Sequence, residues 1–113
     1  MPYIEVKLSS KTDENKKNVL QSKLTDTVSL AFSKPKAYIM ANIEDSSSLF
    51  MGGEKREGAY VSISLLGSAT KSVCQDLTKN VCEILSSELN IEGRNIYVTY
   101  HPIDLWGWNG AMF

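Results

Sequence analysis

Met1-Pro2-Tyr3-Ile4-Glu5-Val6-Lys7-Leu8 opens the chain, and its reading decides the fold. Ile4, Val6 and Leu8 alternate with Tyr3, Glu5 and Lys7, the two-residue period of a strand with one buried face. Proline has no backbone N–H, so Pro2 fits as the first residue of a strand and not inside a central one. Two roles are open to it. It can simply start the strand. Alternatively, removal of Met1 turns it into a secondary amine at the chain end; an α-amino group titrates near ~8, and modest burial or a nearby cation makes it a base at neutral pH.

The same alternation returns in Ala59–Leu66, with Ala59, Val61, Ile63 and Leu65 on one side and Tyr60, Ser62 and Ser64 on the other. A helical apolar stripe follows each leading strand: Val19, Leu20, Leu24, Val28 and Ala31 after the first, then Val73, Leu77, Val81, Ile84, Leu85 and Leu89 after the second. Ser33-Lys34-Pro35 closes the first helix, since proline cannot continue it. Ser72 with Gln75 fits a capping box for the second helix, and Asn90 to Gly93 ends it. Tyr38–Ile43 and Ile96–Tyr100 then read as trailing strands, the latter stopped by Pro102. Glu44 to Glu57 reads as a polar loop with an apolar patch at Leu49-Phe50-Met51, and the residues after Pro102 as a Trp/Gly/Asn-rich tail.

The chain is therefore strand-helix-strand written twice. Tyr3 and Tyr60 open the leading strands 57 residues apart, and Tyr38 and Tyr97 the trailing ones 59 apart. Two copies of so long a period indicate a duplicated β-α-β unit rather than a solenoid, which needs at least three. Each unit joins parallel strands by a crossover helix. The expected architecture is α+β: one domain over residues 1–113, a four-stranded mixed sheet with both helices on one face. The opposite face collects Tyr3, Glu5, Lys7, Tyr38, Met40, Asn42, Tyr60, Ser62, Ser64, Tyr97, Thr99 and His101. It is too apolar for free solvation and too polar for a core, which suits a subunit interface or a wet lumen and predicts a closed oligomer.

Composition narrows the function. Of 113 residues, 42% are hydrophobic and 22% charged, with net charge −1, as in an ordinary globular domain. Lys16-Lys17 and Lys55-Arg56 are flanked by acids, so a nucleic-acid partner finds no basic patch. No apolar run approaches the ~20 residues of a membrane span, and the N-terminus lacks the regions of a signal peptide. The expectation is a cytoplasmic protein without membrane insertion, whose export, if it occurs, uses no signal peptide. Cys74 and Cys82 fall eight residues apart on one helix, roughly 12 Å, beyond the ~7 Å Cα reach of a disulfide. With His101 as the one histidine and no Cys/His cluster, no metal site or cofactor is expected.

Five segments in order resemble the macrophage migration inhibitory factor and D-dopachrome tautomerase family, the former branch more closely. They are Pro2 with the first strand, Ser33-Lys34-Pro35-Lys36-Ala37-Tyr38-Ile39, Leu66-Gly67, Gly93-Arg94-Asn95-Ile96-Tyr97-Val98, and Gly107-Trp108-Asn109-Gly110 through Phe113. The resemblance covers essentially the whole chain. It implies a homotrimer whose sheets line a central channel, and keto–enol tautomerisation of phenylpyruvate- or dopachrome-like substrates. By position, Pro2 is then the catalytic base, while Lys34, Leu66, Tyr38, Trp108 and Phe113 line the substrate pocket and Tyr97 is contributed by a neighbouring subunit. The alternative function is a secreted, cytokine-like protein that binds a cell-surface receptor, with vestigial catalysis. Three departures stand out: Thr99 occupies a position where asparagine is common, Leu66 gives a wall larger than valine and branched differently from isoleucine, and Gly58 and Val61 replace a Cys-x-x-Cys of some members, so thiol–disulfide activity is not expected.

Overall fold

The computed structural model describes residues 1–113. Strand β1 (Pro2–Leu8) leads into helix α1 (Glu14–Phe32), a 3-10 turn (Lys36–Tyr38) and β2 (Met40–Glu44). A small hairpin, β3 (Phe50–Met51) and β4 (Glu54–Lys55), precedes β5 (Ala59–Leu66), helix α2 (Lys71–Leu89), a second 3-10 turn (Gly93–Asn95) and β6 (Ile96–Ile103). A last hairpin, β7 (Gly107–Trp108) and β8 (Ala111–Met112), ends the chain. The main sheet has the order β2-β1-β5-β6, with β1 parallel to β2, β5 parallel to β6, and β1 antiparallel to β5. The expected duplicated β-α-β unit and mixed sheet are both present.

The duplication is more regular than the tyrosine spacing suggests. Leu20, Leu24 and Val28 of α1 and Leu77, Val81 and Leu85 of α2 are the buried residues of their helices, each pair 57 residues apart. They meet Ile4, Val6, Leu8, Val61 and Ile63 from the sheet in one core. The caps repeat at the same offset. Asp13 and Thr70 accept hydrogen bonds from the backbone N–H of Lys16 and Val73, while Ser33 and Asn90 close the helices in the left-handed conformation. The Ser29 and Ser86 hydroxyls then donate to the carbonyls of Lys34 and Ile91, five residues on.

Several local expectations are corrected. Thr70, not Ser72, caps α2, because its hydroxyl reaches the N–H three residues on. Tyr38 belongs to the 3-10 turn that ends on it, so its repeat partner is Asn95 and the 59-residue match with Tyr97 is a coincidence of sequence. Pro102 does not stop β6, which runs on to Ile103; β6 is a sheet edge, where a missing N–H leaves no interior ladder broken. Val19 is 41% exposed and lies off the buried stripe of α1. Two segments read as loop and tail contain hairpins, turned at Gly52-Gly53 and at Asn109-Gly110, all four residues having positive φ as tight two-residue turns require.

The core gives a direct stability test. Leu20 and Leu85 are fully buried, and truncating either to alanine should cost about 2–5 kcal/mol through lost transfer energy and the cavity left behind. Urea unfolding of Leu20→Ala reads this out, and a loss under about 1 kcal/mol would mean that the site collapses around the change. A second test follows from Asp45, which accepts from the Thr12 N–H at 2.7 Å and pairs with Lys17 at 3.3 Å. The Thr12 N–H, chiefly, and Lys17 hold its carboxyl below the usual carboxylate value. A carboxyl with a depressed native pKa stabilises the fold above its unfolded value and loses that contribution as pH falls. Asp45→Asn should therefore flatten the acid side of the stability–pH curve.

Candidate functional site

One end of the sheet opens into a cavity of about 730 Å³. It gathers the start of β1, the 3-10 turn before β2, Ser64 near the end of β5, and the chain from Ile103 to Trp108. Strand pairing explains the meeting: Pro2 stands opposite Leu65, and Leu65 opposite Pro102. Ten of the thirteen lining residues are hydrophobic.

Pro2 is buried in the first ladder position of β1 and lines this cavity together with Met1. Met1 is only 9% exposed, and its carbonyl accepts from the Leu66 N–H at 3.3 Å. Burial, first, and the Lys34 ammonium, second, push the terminal amine below its ordinary value. That pairing of causes is what tunes an amine toward a neutral-pH base.

Lys34 follows the left-handed cap of α1 and is pinned through its backbone. Its N–H donates to the Ser29 carbonyl at 3.1 Å, and its own carbonyl accepts from the Ser29 hydroxyl at 2.5 Å. The matching position of the second repeat is Ile91, which is buried in the core. One backbone motif thus delivers a cation to the amine in the first repeat and a core anchor in the second.

Tyr38 and Trp108 line the cavity and meet edge to face, with centroids 5.7 Å apart and rings 82° from parallel. Phe113 stacks on the far side of Trp108 at 5.9 Å, and its N–H donates to the Trp106 carbonyl at 3.0 Å. The three expected aromatic residues therefore form one cluster, of which Tyr38 and Trp108 line the cavity and Phe113 backs Trp108. Leu66 borders the site through its N–H on Met1. Tyr97 does not join it: it lies at the opposite end of the sheet, paired with Tyr60 and 64% exposed.

The sequence reading missed Met40, Ile103, Leu105 and Trp106 as lining residues. In the sequence Ile103 lies behind Pro102, which reads as the end of the strand. At the replaced Cys-x-x-Cys, Val61 is fully buried, and a Cβ on Gly58 would sit 2.5 Å from the Asn95 carbonyl oxygen. Gly58→Ala should therefore destabilise the fold by backbone displacement, measurable as a lowered unfolding midpoint.

A duplicated β-α-β unit with Pro2 of its first strand in an apolar cleft defines the class of fold. The family description for macrophage migration inhibitory factor matches residues 1–113. Xenopus laevis macrophage migration inhibitory factor is 30% identical over 98 residues, 85% of each chain. Among solved structures, Leishmania major MIF2 superposes with a TM-score of 0.93 at 25% identity, covering 100% of this chain and 97% of its own. A Prochlorococcus marinus homologue gives 0.90 at 25% identity, covering 98% of both. The chain belongs to the macrophage migration inhibitory factor family. No helix is long and apolar enough to cross a membrane.

Proposed function

We propose that the protein is a keto–enol tautomerase acting on small aromatic keto acids of the phenylpyruvate or dopachrome type, with Pro2 as general base once Met1 is removed. The observation that carries this reading is the position of Pro2, buried at the start of β1 and lining an apolar cleft, where burial, first, and Lys34, second, already hold the amine of the adjoining Met1 below its ordinary value. As a neutral secondary amine, Pro2 takes a proton from the carbon beside the substrate's carbonyl while electron density moves to the carbonyl oxygen. The protonated amine returns the proton to that oxygen. Lys34 offsets the carboxylate and the developing enolate charge, the interaction that commonly dominates such barriers. Loss of Met1 also frees the Leu66 N–H to donate to a substrate oxygen. Tyr38, Trp108 and Phe113 hold the ring against water.

The working unit in this reading is a homotrimer with the uncovered sheet face turned to a central channel. That face keeps Met40 and Tyr97 exposed, at 68% and 64%. Assembly explains why Tyr97 stands away from its own cavity: Tyr97 of the partner subunit serves the pocket. Sedimentation at micromolar concentration checks this, and a monomer mass would remove the shared-pocket role. The relatives are named as factors that inhibit macrophage migration, which favours a second reading: a secreted, cytokine-like protein that binds a cell-surface receptor. Processed protein that is trimeric, folded and without turnover would favour it.

A further inference from the structure

Outside the cavity, the uncovered face of the sheet carries one more organised group. His101 is exposed on β6, with Nε2 2.9 Å from Thr99 Oγ1, and that hydroxyl is 2.7 Å from Tyr60 Oη. Glu5 and Lys7 share this face on β1, where they lie 4.0 Å apart and pair with each other. The polar partner of the His101 ring is thus a hydroxyl rather than a carboxylate.

The chain of hydroxyls has a directional consequence. When Nε2–H donates to Thr99 and Thr99 donates to Tyr60, the neutral ring keeps its Nδ1 lone pair free. Metal-binding histidines are oriented in this way, the far N–H donating to an oxygen that fixes tautomer and ring plane. One histidine is not a metal site, but a threefold axis through a channel lined by this face supplies three at one height.

We propose that the three His101 side chains of the trimer form a single metal site on the threefold axis, each giving Nδ1 to one divalent ion of the zinc, nickel or copper type, with Thr99 and Tyr60 as the orienting outer shell. Imidazole suits these ions and not magnesium or calcium. Three imidazoles leave a fourth tetrahedral position for water, with metal–nitrogen distances of about 2.0–2.1 Å. The inference rests on the trimer proposed above, and the two fail separately.

The test uses full-length, chelator-stripped protein. Sedimentation first reports the assembly, and calorimetric titration with zinc then reports stoichiometry, with cobalt absorption as an independent readout of tetrahedral coordination. The expected result is one ion per three chains, lost in His101→Gln and weakened by about 10-fold or more in Thr99→Val, the usual effect of removing an outer-shell partner. Trimers that bind no zinc overturn the site while leaving the trimer intact. Binding of one or two ions per chain that survives in His101→Gln places the metal elsewhere on the chain and also overturns it. A monomer mass overturns the trimer and the site together.

Discussion

Inserting one alanine between Met1 and Pro2 should lower phenylpyruvate enolisation by about 10²–10⁴-fold, the range a positioned general base contributes. After Met1 is removed, the inserted alanine still caps the proline, whose nitrogen is then an amide without a basic lone pair. The added residue has room to sit where Met1 sits now, in the cavity with its carbonyl near the Leu66 N–H. The fold should therefore survive, and an unchanged unfolding midpoint would show it. Intact mass must confirm that the wild-type comparison begins at Pro2. Turnover of the inserted variant within threefold of wild type would place the base elsewhere. Pro2→Gly is the milder change, because a primary amine remains in the same setting; its activity should fall between the two.

The fold was largely legible because hydrophobic burial writes itself at fixed periods. Ile4, Val6 and Leu8 alternate, Leu20, Leu24 and Val28 recur every four residues, and both sets have counterparts 57 positions on. What misled the reading was punctuation. Pro102 looks like a stop signal, yet a sheet edge tolerates a residue that cannot donate. Tyr38 has strand chemistry but falls within a 3-10 turn, since Pro35 starts a turn whose N–H of Ile39 closes on the Lys36 carbonyl at 3.0 Å. Neither fact is visible until the neighbouring strand is known.

The site divides along the same line. Tyr38, Trp108 and Phe113 could be placed because the segments that carry the family resemblance contain them, and the structure brings their rings into one cluster. Met40 and Ile103 could not, because they reach the cavity through pairing of β2 and β6 with strands distant in sequence. The duplication supplies a physical marker that composition alone does not. Where the two repeats share a backbone motif but not a side chain, as with Lys34 against Ile91, burial cannot account for the difference. A partly buried lysine at the C-terminal end of a helix is favoured by the helix dipole, and it also disfavours a proton on the Met1 amine. The second effect gives it a role in charge handling.

That role has a definite signature. Lys34→Ala should reduce kcat/KM by about 10–100-fold, matching the 1.5–3 kcal/mol of a hydrogen bond to a charged group. The pH profile separates its two duties. A protonated amine cannot accept a proton, so activity falls as pH drops through the amine's pKa. Lys34 repels a proton on the Met1 amine, and in this reading does the same to the Pro2 amine left when Met1 is removed; taking the lysine away should raise that pKa and move the acid limb of kcat/KM to higher pH. Lys34→Arg keeps the charge and should leave the limb in place, even where its geometry on the substrate carboxylate is poorer. Added salt screens an open charge pair and should move the wild-type limb in the same direction as the alanine substitution, with little effect on Lys34→Ala itself. If Lys34→Ala raises KM while the limb stays fixed, the lysine binds substrate without tuning the base, and burial alone sets the amine.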